Sequence, residues 1–289
     1  MKSILLFIFV LISAVSTGQS DPYVDSLKAL LKTNITDKQR VKTYNDLAEH
    51  IVDEKTWMSY NRKSLDLARK KLKTTKGKAR RFYLLAVADA YNNYGYYYDS
   101  HDDKENALKY YFKSLNLFKE QGDLKGKGGV MNNIGVMLSN QGDYEEAHDY
   151  LVQALNIKKK INPSELAKNY MNLGVNYDKL GDTSSAMRNY RLALNAARNN
   201  DDHEDMATVY NNIGSIYHGA KQYDSAVPYL TLAVKHYRFA GDEIGEIWSS
   251  ANLGSSYVML GNEDSSSHYL FRALRLSKSY NIASVDQMI

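Results

Sequence analysis

The sequence predicts an all-α solenoid of about six helical hairpins, and three observations carry that prediction. The tripeptide Asn-x-Gly recurs five times, as Asn93-Tyr94-Gly95, Asn133-Ile134-Gly135, Asn172-Leu173-Gly174, Asn212-Ile213-Gly214 and Asn252-Leu253-Gly254. Its glycines lie 40, 39, 40 and 40 residues apart, a period that marks stacked copies of one supersecondary unit and not a single closed core. Small residues stand 12 and 19 positions after each glycine: Ala107 and Ser114, Ala147 and Ala154, Ala186 and Ala193, Ala226 and Ala233, Ser266 and Ala273. A glycine or alanine lets two helix backbones approach closely, so these are the places where the helices of one hairpin touch each other and the next.

Taken in order, residues 1–18 read as a secretory signal. Lys2 supplies the charged start, Ile4 to Ile12 an uninterrupted apolar core, and Ser13 to Gly18 the small residues suited to cleavage, with Gly18 the preferred site. The apolar run is too short to span a bilayer as a helix. Residues 19–36 form a linker with a short amphipathic helix, Asp25 to Lys32, placed to cap the array. The array itself runs over 37–279. Its first and most divergent unit, Asp37 to Lys71, has Leu47-Ala48 where the later units have Ile-Gly or Leu-Gly. Residues 280–289 begin one more helix and stop, so the end of the array is expected to pair with a second copy or a partner.

Within each repeat, Tyr98, Leu138, Tyr177, Tyr217 and Tyr257 fill the first helix and Leu115, Leu155, Leu194, Val234 and Leu274 the second. The segments Gln141-Gly142-Asp143, Leu180-Gly181-Asp182 and Leu260-Gly261-Asn262 predict a glycine stop and then an Asp or Asn cap. Two repeats carry His101-Asp102-Asp103 and Lys221-Gln222-Tyr223 instead, so their turns are expected to be strained or differently shaped. Pro163 is expected to open a helix, where its missing N–H costs nothing, and Pro228 to bend one.

Composition narrows the function. The net charge of +4 is small for 289 residues, and loss of Lys2 with the leader leaves +3, so nothing global points to nucleic acid. The absence of cysteine excludes disulfides, thiolate metal sites, a cysteine nucleophile and a lipidated cysteine anchor. The seven histidines are scattered over different helices and loops, without His-x-x-x-His or His-Glu pairing of metalloenzyme type. Gly126-Lys127-Gly128-Gly129 lacks the Ser or Thr that a phosphate loop needs after its Gly-Lys. The expectation is therefore a non-enzymatic chain with no cofactor and no metal. A basic run from Arg69 to Arg81 reads as a solvated loop between helix ends.

The Asn-x-Gly and Gly-Asp-Tyr elements resemble the tetratricopeptide repeat in its longer form of about 40 residues, found in kinesin light chains and many bacterial signalling proteins. HEAT and armadillo repeats share the period but lack these elements. The resemblance covers about 40–279 and implies a right-handed superhelix whose concave wall is built from the first helix of each hairpin. It also implies a ladder of Asn93, Asn133, Asn172, Asn212 and Asn252, whose amides can bond the backbone of a bound peptide or the adjacent helix, and both can hold. Around the ladder, Tyr96, Lys168, Asp178, His218 and Trp248 are candidates to select ligand side chains. The residues preceding the asparagines are Asn92, Asn132, Met171, Asn211 and Ala251, so the lysine clamp for a terminal carboxylate is absent.

The expected function is an exported, periplasmic or secreted interaction scaffold that holds a peptide or partner protein in the groove. Nucleic acid and stable membrane insertion are not expected. The alternative is the extracytoplasmic sensor portion of a histidine kinase or transcription regulator whose output domain is not in this sequence.

Overall fold

The computed structural model describes residues 21–163 and 166–280. The signal segment at 1–18 and positions 281–289 lie outside the described residues. Thirteen α-helices and no strand occur among the described residues. They form two compact units, one ending at Gly142 and the other beginning at Asp143.

The first unit contains α1 (Pro22–Leu31), α2 (Asp37–His50), α3 (Glu54–Leu72), α4 (Gly77–Ser100), α5 (Lys104–Glu120) and α6 (Leu124–Gln141). Short α1 buries Val24 and Leu27 against Leu47 of α2, with Leu31, Ile51 and Tyr60 around them. Its start is fixed by Asp21, which accepts a hydrogen bond from the Tyr23 N–H, with Pro22 at the first helical position. α2 begins with a capping box, Thr36 accepting from the Gln39 N–H while Gln39 Oε1 accepts from the Thr36 N–H.

The second unit contains α7 (Tyr144–Ile161), α8 (Ala167–Lys179), α9 (Thr183–Asn199), α10 (His203–Gly219), α11 (Tyr223–Ala240), α12 (Glu243–Met259) and α13 (Glu263–Tyr280). Counted from Asp37, the first unit holds the A–B pairs α2–α3 and α4–α5 followed by α6, and the second holds α7 followed by the pairs α8–α9, α10–α11 and α12–α13. In each unit every helix packs on its chain neighbours, and A helices also touch across the intervening B helix: α2 on α4, α4 on α6, α8 on α10, α10 on α12.

The predicted glycine stops and two of the three predicted caps are present, while Asp143 holds the N-cap position of α7 without a side-chain cap bond. Gly142, Gly181 and Gly261 adopt left-handed φ of 91°, 80° and 72°, and Asp182 and Asn262 accept from the Ser185 and Ser265 N–H groups. The two departing turns keep the same shape. Asp102 and Lys221 stand where the glycine would be, with φ of 57° and 60°. The next N–H returns to the carbonyl five residues back, Asp103 to Tyr98 and Gln222 to Tyr217, as Asp182 does to Tyr177. These turns are therefore strained and not reshaped.

Pro163 corrects an expectation. α7 ends at Ile161 and α8 starts only at Ala167, so Pro163 lies in the connection and opens no helix. Pro228 sits inside α11, which continues through it to Ala240. In α13, Leu270 packs over Gly254 and Leu276 joins the core with Ile247 and Ala251. The outward apolar side chain of that helix is Phe271.

Candidate functional site

The Asn-x-Gly glycine is where the second helix of a hairpin presses on the first. A Cβ added at Gly95, Gly174, Gly214 or Gly254 would come within 2.4–2.6 Å of Tyr111, Tyr190, Leu230 or Leu270. All four partners lie 16 residues after the glycine, a spacing absent from the sequence-based expectation. Tyr111 and Tyr190 are 1% exposed. Each such ring contributes on the order of 2–3 kcal/mol by leaving water, and each fixes the rotation of its A helix, which sets where the asparagine two residues earlier points.

Asn93, Asn133 and Asn252 spend their amide N–H on a neighbouring helix. Asn133 Nδ2 donates to Asn92 Oδ1 at 3.0 Å, joining α6 to α4. Asn252 Nδ2 donates to Asn211 Oδ1 at 3.3 Å, joining α12 to α10. Asn93 Nδ2 donates to Asn61 Oδ1 at 3.0 Å, and the fully buried Asn61 in turn donates to the Ala90 carbonyl. In α6 and α12, then, the asparagine bonds the amide that precedes the asparagine of the repeat before. Asn172 is half-buried, whereas Asn212 is 5% exposed and has Met171 at the corresponding earlier position. Stacking of repeats is thus a role that the geometry gives to Asn93, Asn133 and Asn252.

On the A helices of the first unit, Tyr96 is 42% exposed and its ring lies 6.4 Å from that of Trp57 on α3. Along α4, Asp99 stands one turn beyond Tyr96 and Asp89 two turns before it. Burial, with Asp102 beside it, pushes the Asp99 carboxyl up to about 6. Asp89 is open to water but ringed by protein, and that desolvation plus the charges of Asp123 and Glu49 pushes its carboxyl up to about 7. The Asp99 charge also reinforces burial in holding the Tyr111 hydroxyl well above the ordinary phenol range. Asp178 and Tyr190 repeat the relationship in the second unit, where burial raises Asp178.

The remaining candidates divide. Lys168 is largely exposed on α8, with Nζ 4.0 Å from Oδ1 of Asp205, which burial pushes up to about 6 against the pull of that lysine. His218 Nδ1 lies 2.8 Å from Ser256 Oγ, tying α10 to α12, and burial lowers its pKa. Trp248 is half-buried against Ile247, Ala251 and Ala273, with Leu276 and Tyr280 of α13, so its ring closes the last hairpin. No group of three or more His, Asp or Glu suited to a metal ion occurs among the described residues, and no described helix is long and apolar enough to cross a membrane.

Known structures share this architecture. The chain resembles BtubC (BKLC) from P. vanneervenii with a TM-score of 0.65 and 20% identity over 78% of this chain and 91% of that one. Aspartyl phosphate phosphatase F from Bacillus subtilis gives a TM-score of 0.68 at 14% identity over 91% and 73%. A Rap protein solved in complex with Competence and Sporulation Factor gives 0.62 at 14% identity over 91% and 75%. At these identities the likeness shows the fold. Among curated proteins no relative matches the sequence. The tetratricopeptide repeat model matches residues 86–160, 128–199 and 205–279, more than half of the chain, and the packing of Asn-x-Gly on the residue 16 positions later recurs through the same span: the chain belongs to the tetratricopeptide repeat family.

Proposed function

We propose that this chain is a non-enzymatic scaffold that binds an extended peptide or partner segment on the A-helix walls, and that the segment carries basic side chains. The observation that carries this reading is the set of carboxyls on those walls. Asp89, Asp99 and Asp178 are held above their ordinary range by desolvation, and none of them makes an ion pair with a cation among the described residues. A Lys or Arg from a partner would relieve that cost. Tyr96, one turn from Asp99 on α4, adds an exposed ring. Because Asn93, Asn133 and Asn252 already use their Nδ2 groups on neighbouring helices, ligand bonding falls to their carbonyl oxygens and to these flanking side chains.

A peptide-display selection against the folded chain tests the reading. Enriched peptides should be rich in Lys and Arg, and Asp89→Asn combined with Asp99→Asn should weaken them at least tenfold at pH 8 while leaving the melting temperature unchanged or higher. Peptides that lack basic residues, or that bind the double variant equally well, would refute it.

A sensor role is the second reading, favoured by the complex of a Rap protein with Competence and Sporulation Factor. It predicts that ligand binding alters hydrogen exchange across several repeats and not only at the wall. Export rests on the leader at 1–18. Intact mass of the secreted or periplasmic chain should lack those residues, and mature protein that retains Met1 would reject it.

A further inference from the structure

The first unit carries a second surface, between two B helices. α3 and α5 both pack on α4 and not on each other, so α4 forms the floor of a groove between them. The floor is tyrosine. Tyr98 of α4 stacks on Tyr110 of α5 with ring centroids 5.4 Å apart and planes 6° apart, and Tyr94 stacks on the same ring at 5.2 Å. Tyr91 continues the row at 5.9 Å from Tyr110.

The lips are cationic. On the α3 side, the Arg69 guanidinium donates to the Tyr91 hydroxyl at 2.8 Å and lies over its ring. On the α5 side, Lys113 Nζ sits 5.0 Å above Tyr110 and 5.7 Å above Tyr91, and Lys109 Nζ 5.9 Å from Tyr110. Arg69, Lys109 and Lys113 make no ion pair among the described residues. At Tyr94 the Arg62 charge outweighs that of Asp66, and Asp103 brings negative charge only to Tyr98, the ring farthest along α4 from Tyr91 and Arg69. The second unit shows the contrast. There Arg238 of α11 and Arg272 of α13 are both bound to buried Glu246.

We propose that the α3–α5 groove docks an acidic, extended segment of a partner protein. Cations parked on ring faces keep their charge unneutralised and desolvate little, so they are ready for carboxylates. Lys109 and Lys113 are one helical turn apart, about 6 Å along the axis. Alternate residues of an extended chain recur at about 6.6 Å, which matches carboxylates in an acidic-x-acidic order. Single-stranded nucleic acid fits less well, because the tyrosine faces on which bases would stack are already covered by one another and by the cations.

The test uses a fluorescein-labelled deca-glutamate peptide and the full chain, read by anisotropy at low salt. Arg69→Gln with Lys113→Gln should weaken binding at least tenfold. Lys73→Gln with Lys78→Gln, which removes the same charge from the end of α3 and the first turn of α4, should weaken it less than twofold. Both variants change only exposed side chains, and melting curves confirm equal folding. Equal losses in the two variants, no binding by the parent chain, or tighter binding to oligo-dT or to phosphatidylserine vesicles than to the peptide would each overturn the proposal.

Discussion

The Tyr190 ring lies so close to Gly174 that a Cβ on that glycine would sit 2.6 Å from Cε1. Gly129 of α6 is the opposite case, with nothing within 4 Å of a Cβ placed on it. The two glycines should therefore respond to alanine with opposite signs.

Gly174→Ala should destabilise the second unit by about 1–2 kcal/mol, the overpacking cost of roughly 1–3 kcal/mol exceeding a helix-propensity gain of about 1 kcal/mol. Gly129→Ala keeps only the gain and should stabilise by about 0.5–1 kcal/mol. Urea denaturation of each variant decides it. A stabilised Gly174→Ala protein would mean that the Tyr190 ring can move aside.

The strained turns give the second prediction. Lys221 holds φ at 60° in a turn whose relatives use glycine, and a left-handed non-glycine residue costs about 1–2 kcal/mol. Part of that is offset because glycine loses more freedom on folding. Lys221→Gly should thus stabilise by roughly 0.5–1 kcal/mol, and Asp102→Gly likewise. Gly181→Ala, at φ 80°, should lose about as much. Hydrogen exchange around residues 217–226 would localise the gain, and an unchanged or lowered stability in both glycine variants would show that the turns carry no strain.

Much of this is legible in the sequence, and the reasons for the rest are physical. Period, helix count, caps and glycine stops are local and repeat along the chain, so they survive without alignment. The residue 16 positions after each glycine does not stand out as a motif because it is Tyr111, Tyr190, Leu230 or Leu270: packing there demands volume and not identity. The bond from Asn133 to Asn92 needs the rotation of two helices to be known, which no spacing rule supplies. Family geometry places Trp248 on the wall, but its ring finds Leu276 and Tyr280, residues at the far end of the last helix. The α3–α5 groove is, in the sequence, only a tyrosine run and scattered lysines until three helices bring them together.

A histidine pair supplies the third prediction. His203 Nδ1 and His236 Nδ1 are 2.8 Å apart, a hydrogen bond that exists only while one ring lacks a proton at that nitrogen. Burial, then His203, Lys235 and Arg198, lower the His236 pKa below its usual 6.5. Asp201 lies 3.8 Å from His203 Nε2 on the other side, and Phe239 and Tyr210 close the remaining faces. With the folded value depressed, the unfolded chain binds the proton first. Stability is then full above about pH 6.5 and falls as the pH drops below it. His236→Gln should flatten that part of the stability profile, and an unchanged slope would assign the acid sensitivity elsewhere.

The last prediction joins the raised carboxyl of Asp89 to ligand binding. Desolvation, then the charges of Asp123 and Glu49, push it up to about 7, with Lys125 opposing. In the free protein the folded state keeps this proton longer than the unfolded chain, so its contribution to stability falls as the pH rises from about 4 to about 7. A basic peptide on the wall reverses the balance, because a cation beside Asp89 favours its ionised form. Binding should therefore release a proton near neutrality, and affinity for a Lys-containing peptide should rise between about pH 6 and about pH 8. Calorimetry in buffers of different ionisation heat measures the released proton directly. Asp89→Asn should abolish both the release and the rise while the affinity at about pH 6, where Asp89 is mostly neutral, changes little. If the variant keeps the same pH slope, the peptide does not meet Asp89, and the acidic wall of α4 is not where the basic side chain lands.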